Sequence, residues 1–260
     1  MKPVCSLVLG WCVAFSLVST AASRAADFTA PSAEELANQQ WGSDDAASKP
    51  SANQPARSVF NTGEGVSGTV YAAVGLPDGS VILGGEFSTV DSQPRMNLAK
   101  ILPDGTLDTT MFGKVTDGVN GTVYALELDS QGGVIVGGYF SEAQEKPRQN
   151  LVRYNPDGSL DLTFGGVQLP NGPNGQVRAI AIQPDGHIVV GGEFSMVGTF
   201  ERRNVAKLNP DGTVAGPQTA STGVGGTINA LTVTSTGAVV AGGMFEVAGS
   251  TTRGVTTVAP

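Results

Sequence analysis

The sequence predicts an all-β protein, a β-propeller of four repeats with four-stranded blades, and three observations carry that expectation. First, one pattern returns four times: TVYAAVGLPDGSVILGGEFS, TVYALELDSQGGVIVGGYFS, QVRAIAIQPDGHIVVGGEFS and TINALTVTSTGAVVAGGMFE. Its anchors Val70, Val123, Val177 and Ile228 are 53, 54 and 51 residues apart, and a Gly-Gly-x-Phe element keeps those offsets from Gly84, Gly137, Gly191 and Gly242. A period near 50 residues, made of short strands and Gly-rich turns, is the mark of radial blades or a stacked β array. Second, Asp-Gly separates apolar runs, and glycine there supplies the positive φ that tight hairpins demand. Third, the first two strands of each unit are almost continuously Val, Ile and Leu, as when a sheet is buried on both faces between neighbours.

Each repeat reads as a β-meander. An apolar strand such as Val-Tyr-Ala-Leu meets a turn, and a second strand such as Val-Ile-Leu-Gly-Gly-Glu-Phe follows. A polar excursion of about ten residues leads to a third strand beginning at Asn97, Asn150 or Asn204. A second Pro-Asp-Gly (Asp104, Asp157, Asp211) then turns into a short fourth strand such as Leu160 to Phe164, completing a four-stranded blade. The paired glycines are expected to let strands approach or bulge, and Phe87, Phe140, Phe194 and Phe245 to fill the space beyond them.

The ends of the chain carry their own expectations. Residues 1–25 have a positive start, an apolar run from Val4 to Val18 and a small-residue exit at Ser23-Arg24-Ala25, the parts of a secretory signal peptide. Residues 26–57, rich in Ser, Ala, Asn, Gln, Pro and Asp, read as a disordered linker. The repeats occupy residues 58–260 and start near 68, 121, 175 and 226. The fourth unit lacks a last strand, while Ser58-Val59-Phe60 resembles one. The N-terminal segment, residues 57–60, is therefore expected to complete the last blade and close the ring in a monomer, removing an exposed sheet edge.

Pro-Asp-Gly, Gly-Gly-Glu-Phe, Arg-x-Asn-Leu-Ala-Lys and Asn-Pro-Asp-Gly-Ser-Leu-Asp together resemble the bacterial delta-60 repeat family, over residues 58–260. The resemblance implies a propeller and brings no assigned chemistry. The fourth unit departs from the pattern, with Gly254 in place of the Asn and Ser-Thr-Gly in place of Pro-Asp-Gly, and is expected to pack less regularly.

Composition narrows the function. The net charge is −8, and loss of Lys2 and Arg24 with the leader makes it −10, which opposes nucleic acid and anionic membrane surfaces as partners. Cys5 and Cys12 both lie in the leader, so no disulfide framework is expected. With one histidine, His187, set beside a hairpin turn and read as exposed, Ser-His-Asp, Cys-His and His-rich zinc chemistry have no material. No cofactor is expected, and no P-loop or Rossmann fingerprint occurs.

Carboxylates are the remaining candidates. Glu86 and Glu193 hold equivalent positions in units one and three, and a carboxylate pair can serve as acid and base on a glycoside. Arg95, Arg148 and Arg202 stand downstream as natural ion-pair partners. Asp104 with Asp108, and Asp157 with Asp161, are candidate calcium ligands, although each segment offers two carboxylates where calcium needs six or more oxygens. Asn120-Gly121-Thr122 matches a glycosylation sequon and equally a turn.

The segments Ser88 to Pro94, Ser141 to Pro147 and Ser195 to Glu201 vary between units while the strands stay regular. This division of labour predicts a secreted, periplasmic or cell-envelope scaffold, not an enzyme, that binds a protein or polysaccharide through its variable loops. The alternatives are a carboxylate-dependent carbohydrate-active enzyme using Glu86 and Glu193, and a purely structural envelope or assembly module.

Overall fold

The computed structural model describes residues 65–166, 172–216, 222–246 and 253–258. The expected leader, linker and closing segment at residues 57–60 lie outside them. Among the described residues no helix is long and apolar enough to cross a membrane.

Each repeat folds as a three-stranded antiparallel sheet. Sheet one is Thr69–Gly75, Val81–Glu86 and Leu98–Ile101; sheet two is Thr122–Leu128, Val134–Tyr139 and Leu151–Tyr154. Sheet three is Gln176–Ile182, Ile188–Glu193 and Val205–Leu208; sheet four is Gly225–Val233, Val239–Glu246 and Arg253–Val258. The expected fourth strand shrinks to one bridge per unit: Ile101 with Leu107, Tyr154 with Leu160, and Leu208 with Val214. Its pairing stops because Asp108 and Asp161 curl the chain. In each, Oδ1 accepts from the backbone N–H groups two and three residues on, and from the hydroxyl of Thr110 or Thr163. Side-chain acceptors of this kind offer the backbone an alternative to the sheet ladder.

The sheets stack in chain order, the first strand of each packing on the first and second strands of its predecessor. Ile82, Leu98, Val123, Leu126, Val134 and Val136 fill the space between sheets one and two. Ile135, Leu151, Val177, Ile180, Ile188 and Val190 repeat that layer between sheets two and three, and Val189, Val205, Ile228, Val239 and Ala241 between three and four. The four phenylalanines are all buried. Among the described residues sheet four does not pack on sheet one, so the expected ring closure is not seen there.

The two glycines of each pair do different work. A Cβ at Gly84, Gly137 or Gly191 would lie 2.5–2.6 Å from a methyl of Val123, Val177 or Ile228 in the next sheet. A Cβ at Gly85, Gly138 or Gly192 would collide with the backbone carbonyl of Thr69, Thr122 or Gln176 across the strand pair. That second glycine faces a β-bulge, since the register slips between Val70 and Ala72, Val123 and Ala125, Val177 and Ala179, and Ile228 and Ala230.

The third strands begin one residue later than expected. Asn97, Asn150 and Asn204 instead take φ of 62°, 61° and 64° before the strand, the left-handed region that asparagine tolerates better than most residues. Each Oδ1 accepts the N–H of Phe87, Phe140 or Phe194, and each Nδ2 donates to a carbonyl of the following unit, at Val119, Pro173 or Val224. Gly254 keeps the conformation at φ 80° but has no side chain to extend the staple. The fourth turn also survives its change of sequence: Thr234 N–H donates to the Ala238 carbonyl and Gly237 has φ 83°.

Glu127 is an acid set within the first strand of sheet two. It stands where the other units have Val74, Ala181 and Thr232, on the face that Ala125 turns toward sheet three, and burial pushes its carboxyl up from 4.5 to about 7. The native state thus holds a proton that the unfolded chain releases near 4.5. Its contribution to stability is complete below about 4.5 and is lost as pH rises through about 7. Glu127→Gln is expected to remove this loss, gaining up to about 3 kcal/mol over the parent at pH 8 and little at pH 4. Urea unfolding of both proteins across that range checks it; equal pH profiles would show that the carboxyl is not desolvated.

Candidate ligand-binding surface

The variable segments are not loose loops. Each folds into a two-residue hairpin: Thr89–Val90 with Gln93–Pro94, Glu142–Ala143 with Lys146–Pro147, and Met196–Val197 with the start of Phe200–Arg203. The tips Asp91-Ser92 and Gln144-Glu145 have positive φ at both residues, the type I′ geometry whose twist matches paired strands. Val90, Ala143 and Val197 are buried and bridge to Val66, Val119 and Pro173.

Recurrent side chains pin the bases. The Oδ1 of Asn120 accepts the N–H groups of Ser141 and Glu142, and that of Asn174 accepts those of Ser195 and Met196. In unit one the Ser67 hydroxyl takes this part, accepting from Ser88 and Thr89. The Asn120 amide nitrogen is also occupied, donating to the Ser141 hydroxyl at 3.0 Å, so the sequon asparagine serves as a hairpin clamp. Ser88, Gln93, Glu145, Lys146, Thr199 and Glu201 remain exposed on the hairpins.

The candidate glutamates end the second strands, next to these hairpins. Glu86 pairs in register with Thr69 and Glu193 with Gln176; Tyr139 and Met244 hold the equivalent places, and all four are exposed. Glu193 reaches Arg178 at 4.0 Å. The expected partners are used elsewhere. Arg95 donates to the carbonyls of Pro94 and Asp108, and Arg148 to those of Pro147 and Leu162. Arg202 donates to Glu201 and Ala215. These arginines tie the hairpin to the segment after the third strand, and their burial lowers the pKa of Arg95 and Arg202.

Each candidate calcium ligand has its Oδ1 committed to turn hydrogen bonds. Asp104 and Asp157 accept from the backbone and hydroxyl of Thr106 and Ser159, two residues on, and these bonds hold both carboxyls below their usual value. Asp108 adds Lys100 at 3.6 Å, and Asp161 adds the Arg153 guanidinium at 2.5 Å. Among the described residues no three His, Cys, Asp or Glu side chains gather as a metal set. His187 is half-buried rather than exposed, 2.9 Å from Asp185.

The surface also carries a feature that composition and motifs did not single out. The bulge re-aims one side chain per unit, at Tyr71, Tyr124, Arg178 and Asn229. The rings of Tyr71 and Tyr124 lie 5.4 Å apart, and Arg178 sits 5.5 Å over the Tyr124 ring while donating to Gln176. A strip of aromatic and guanidinium surface thus crosses three sheets beside the hairpins. Its signal was present in the aligned repeats, as the position after each anchor that is not aliphatic. Farther along, Asn174, Glu193, Ser195 and Arg203 border an open depression of about 420 Å³.

Three segments, residues 76–110, 132–164 and 183–214, match the family described as "Domain of unknown function (DUF5122) beta-propeller", which supports a β-propeller repeat. No curated protein matches the chain. Among solved structures, a streptogramin B lyase is 15% identical, with 74% of this chain and 54% of that chain covered and a TM-score of 0.42. PorZ of Porphyromonas gingivalis, a bacterial surface component of the type-IX secretion system, is 14% identical over 67% of this chain and 25% of that one, at a TM-score of 0.41. A gluconolactonase of Xanthomonas campestris is 11% identical over 69% and 72%, at 0.32. The chain spans about half the length of the lyase, and at such distances nothing of these proteins' chemistry transfers to it.

Proposed function

We propose that the repeat region is a non-enzymatic β-propeller scaffold, working outside the cytoplasm, that binds a protein or polysaccharide through its three variable hairpins and the adjoining Tyr71, Tyr124 and Arg178 strip. The observation that carries this reading is the contrast within each of units one to three: recurrent clamps, an Arg, an Asn before the third strand and a Ser or Asn at the base, fix each hairpin, while the tips differ in every copy. A rigid frame with variable tips lowers the ordering cost of binding. The strip adds amphipathic rings and a guanidinium, side chains over-represented where binding energy concentrates.

The carboxylate-enzyme reading has less support. Glu86 and Glu193 belong to sheets one and three, with all of sheet two between them. Stacked sheets lie about 10 Å apart, whereas a glycosidase pair works at roughly 5 to 9.5 Å. A glycan array and a panel of cell-envelope proteins probed with the full chain test the proposal. Replacing Gln93, Lys146 and Glu201 together by alanine is expected to weaken the captured ligand about tenfold, or about 1.4 kcal/mol, without moving the melting temperature. Glycan cleavage that disappears in Glu86→Gln or Glu193→Gln would replace the scaffold reading with the enzymatic one.

A further inference from the structure

The inter-sheet contact has two unlike sides, and among the described residues one of each is left unused. Toward its predecessor every sheet projects knobs: Val123 and Leu126 onto Gly84, Val177 and Ile180 onto Gly137, Ile228 and Leu231 onto Gly191. Among the described residues no sheet packs on the corresponding residues of sheet one, Val70 and Ala73, and Val70 is 38% exposed where Val123 and Val177 are fully buried. Val81 and Leu83 beside them are half-buried, although their equivalents Val134 and Val136 are fully buried. At the other end Gly242 repeats the recess of Gly84, Gly137 and Gly191, yet a Cβ there would find among the described residues only the Gly254 carbonyl at 3.7 Å and Ala230 at 4.0 Å. Val255, in register with Gly242, is 61% exposed; its equivalents Leu98, Leu151 and Val205 are buried.

We propose that a second copy of this chain docks head to tail on these faces, Val70 of one copy entering the recess at Gly242 of the other. The occupant follows from continuity: the surface that fits a glycine recess three times within the chain is the knob-bearing face of the same repeat, and the second copy presents that face uncovered. Contact between unlike patches is heterologous, and such contacts either close into a ring or run on as a filament. Two copies supply two identical contacts and eight sheets, within the range of closed radial β arrays. Closure removes both apolar faces from water, which soluble monomers rarely leave exposed.

Sedimentation velocity of the full chain, with Val70→Asp and Gly242→Val variants, tests this. Val70 is on the surface and Gly242 has room for a Cβ, so both variants are expected to fold, as circular dichroism checks. The parent is expected to sediment as two chains. Each variant alone is expected to lose at least nine-tenths of that species, because no complementary face remains in solution. Mixing the two variants restores a two-chain species, since one intact Val70 face then meets one intact Gly242 face. A parent that stays a single chain at all concentrations overturns the proposal. So does association broken by one variant only, or not restored by mixing, since that is the signature of like-to-like contact.

Discussion

Gly137→Val is expected to be among the most damaging single substitutions in the repeat region, costing about 3 kcal/mol or more, while Glu86→Gln in the equivalent strand of sheet one costs less than about 0.5 kcal/mol. Gly137 does not have positive φ, so backbone strain is not the cause. The cause is volume. Its missing Cβ would stand 2.6 Å from Val177 and 3.0 Å from Ile180, both buried between sheets two and three with no path toward solvent. Relief requires the sheets to move apart, and that loosens every contact in the layer. Alanine at the same place already carries part of the cost, about 1 to 3 kcal/mol. Thermal denaturation of the three variants decides: an unchanged melting temperature for Gly137→Val, with a lowered one for Glu86→Gln, would reverse the roles assigned to these positions.

The second large effect is expected at Asn150, which is 5% exposed. Asn150→Ala strands the Phe140 N–H and the Pro173 carbonyl, bonded to the side chain at 2.9 and 2.7 Å, and places a Cβ-bearing residue without a compensating side-chain bond at φ 61°. Each unsatisfied buried group costs about 1 to 3 kcal/mol, and the left-handed conformation costs alanine about 1 more. Together they come to about 3 to 7 kcal/mol, a fall in melting temperature on the order of 10 °C or more for a region of this size. Asn150→Gly separates the two causes, because it lifts the backbone penalty and leaves the hydrogen-bond loss. It is expected to melt above Asn150→Ala and below the parent. If alanine and glycine behave alike, the left-handed backbone is not being held by this residue; if glycine matches the parent, the staple to the next unit contributes nothing.

These two residues also mark how far the sequence could be read. The recurrence of Gly-Gly-x-Phe announced a special position and the absent Cβ gave a reason for it, whereas Asn97, Asn150 and Asn204 were expected to open the third strands and their positive φ was not foreseen. Local chemistry could not tell which glycine of the pair served the neighbouring sheet and which the bulge, because both periods are the same in the sequence. The Asn staples cross from one unit to the next, with donor and acceptor 20 to 23 residues apart, and no spacing rule exposes a bond to a main-chain carbonyl whose residue type varies. The fourth strand was overestimated for a related reason. Leu160 to Phe164 has the apolar content of a strand, but Asp161 captures the backbone donors that a strand would need free.

The candidate surface divides in the same way. Variation among Ser88 to Pro94, Ser141 to Pro147 and Ser195 to Glu201 is visible in the repeats, and it located the hairpins. The partners of Arg95 and Arg148 were misjudged, because charge in a sequence points to opposite charge, whereas a buried guanidinium is as well satisfied by carbonyls fixed in a fold. Glu127 gave no warning at all, since an acid within a strand is ordinary until a second sheet covers it.

By itself the sequence determined the repeat, its period, the turns and the division between regular strands and variable segments, since these follow from side-chain size, backbone preference and periodicity along one unit. Only the tertiary structure decided that the main sheet of each unit has three strands, that Tyr71, Tyr124 and Arg178 form one strip, that burial raises the Glu127 pKa, and that among the described residues no sheet covers the faces at Val70 and Gly242. Those outcomes depend on which sheet lies against which, and contact between residues far apart in the chain is set by the packing of whole units.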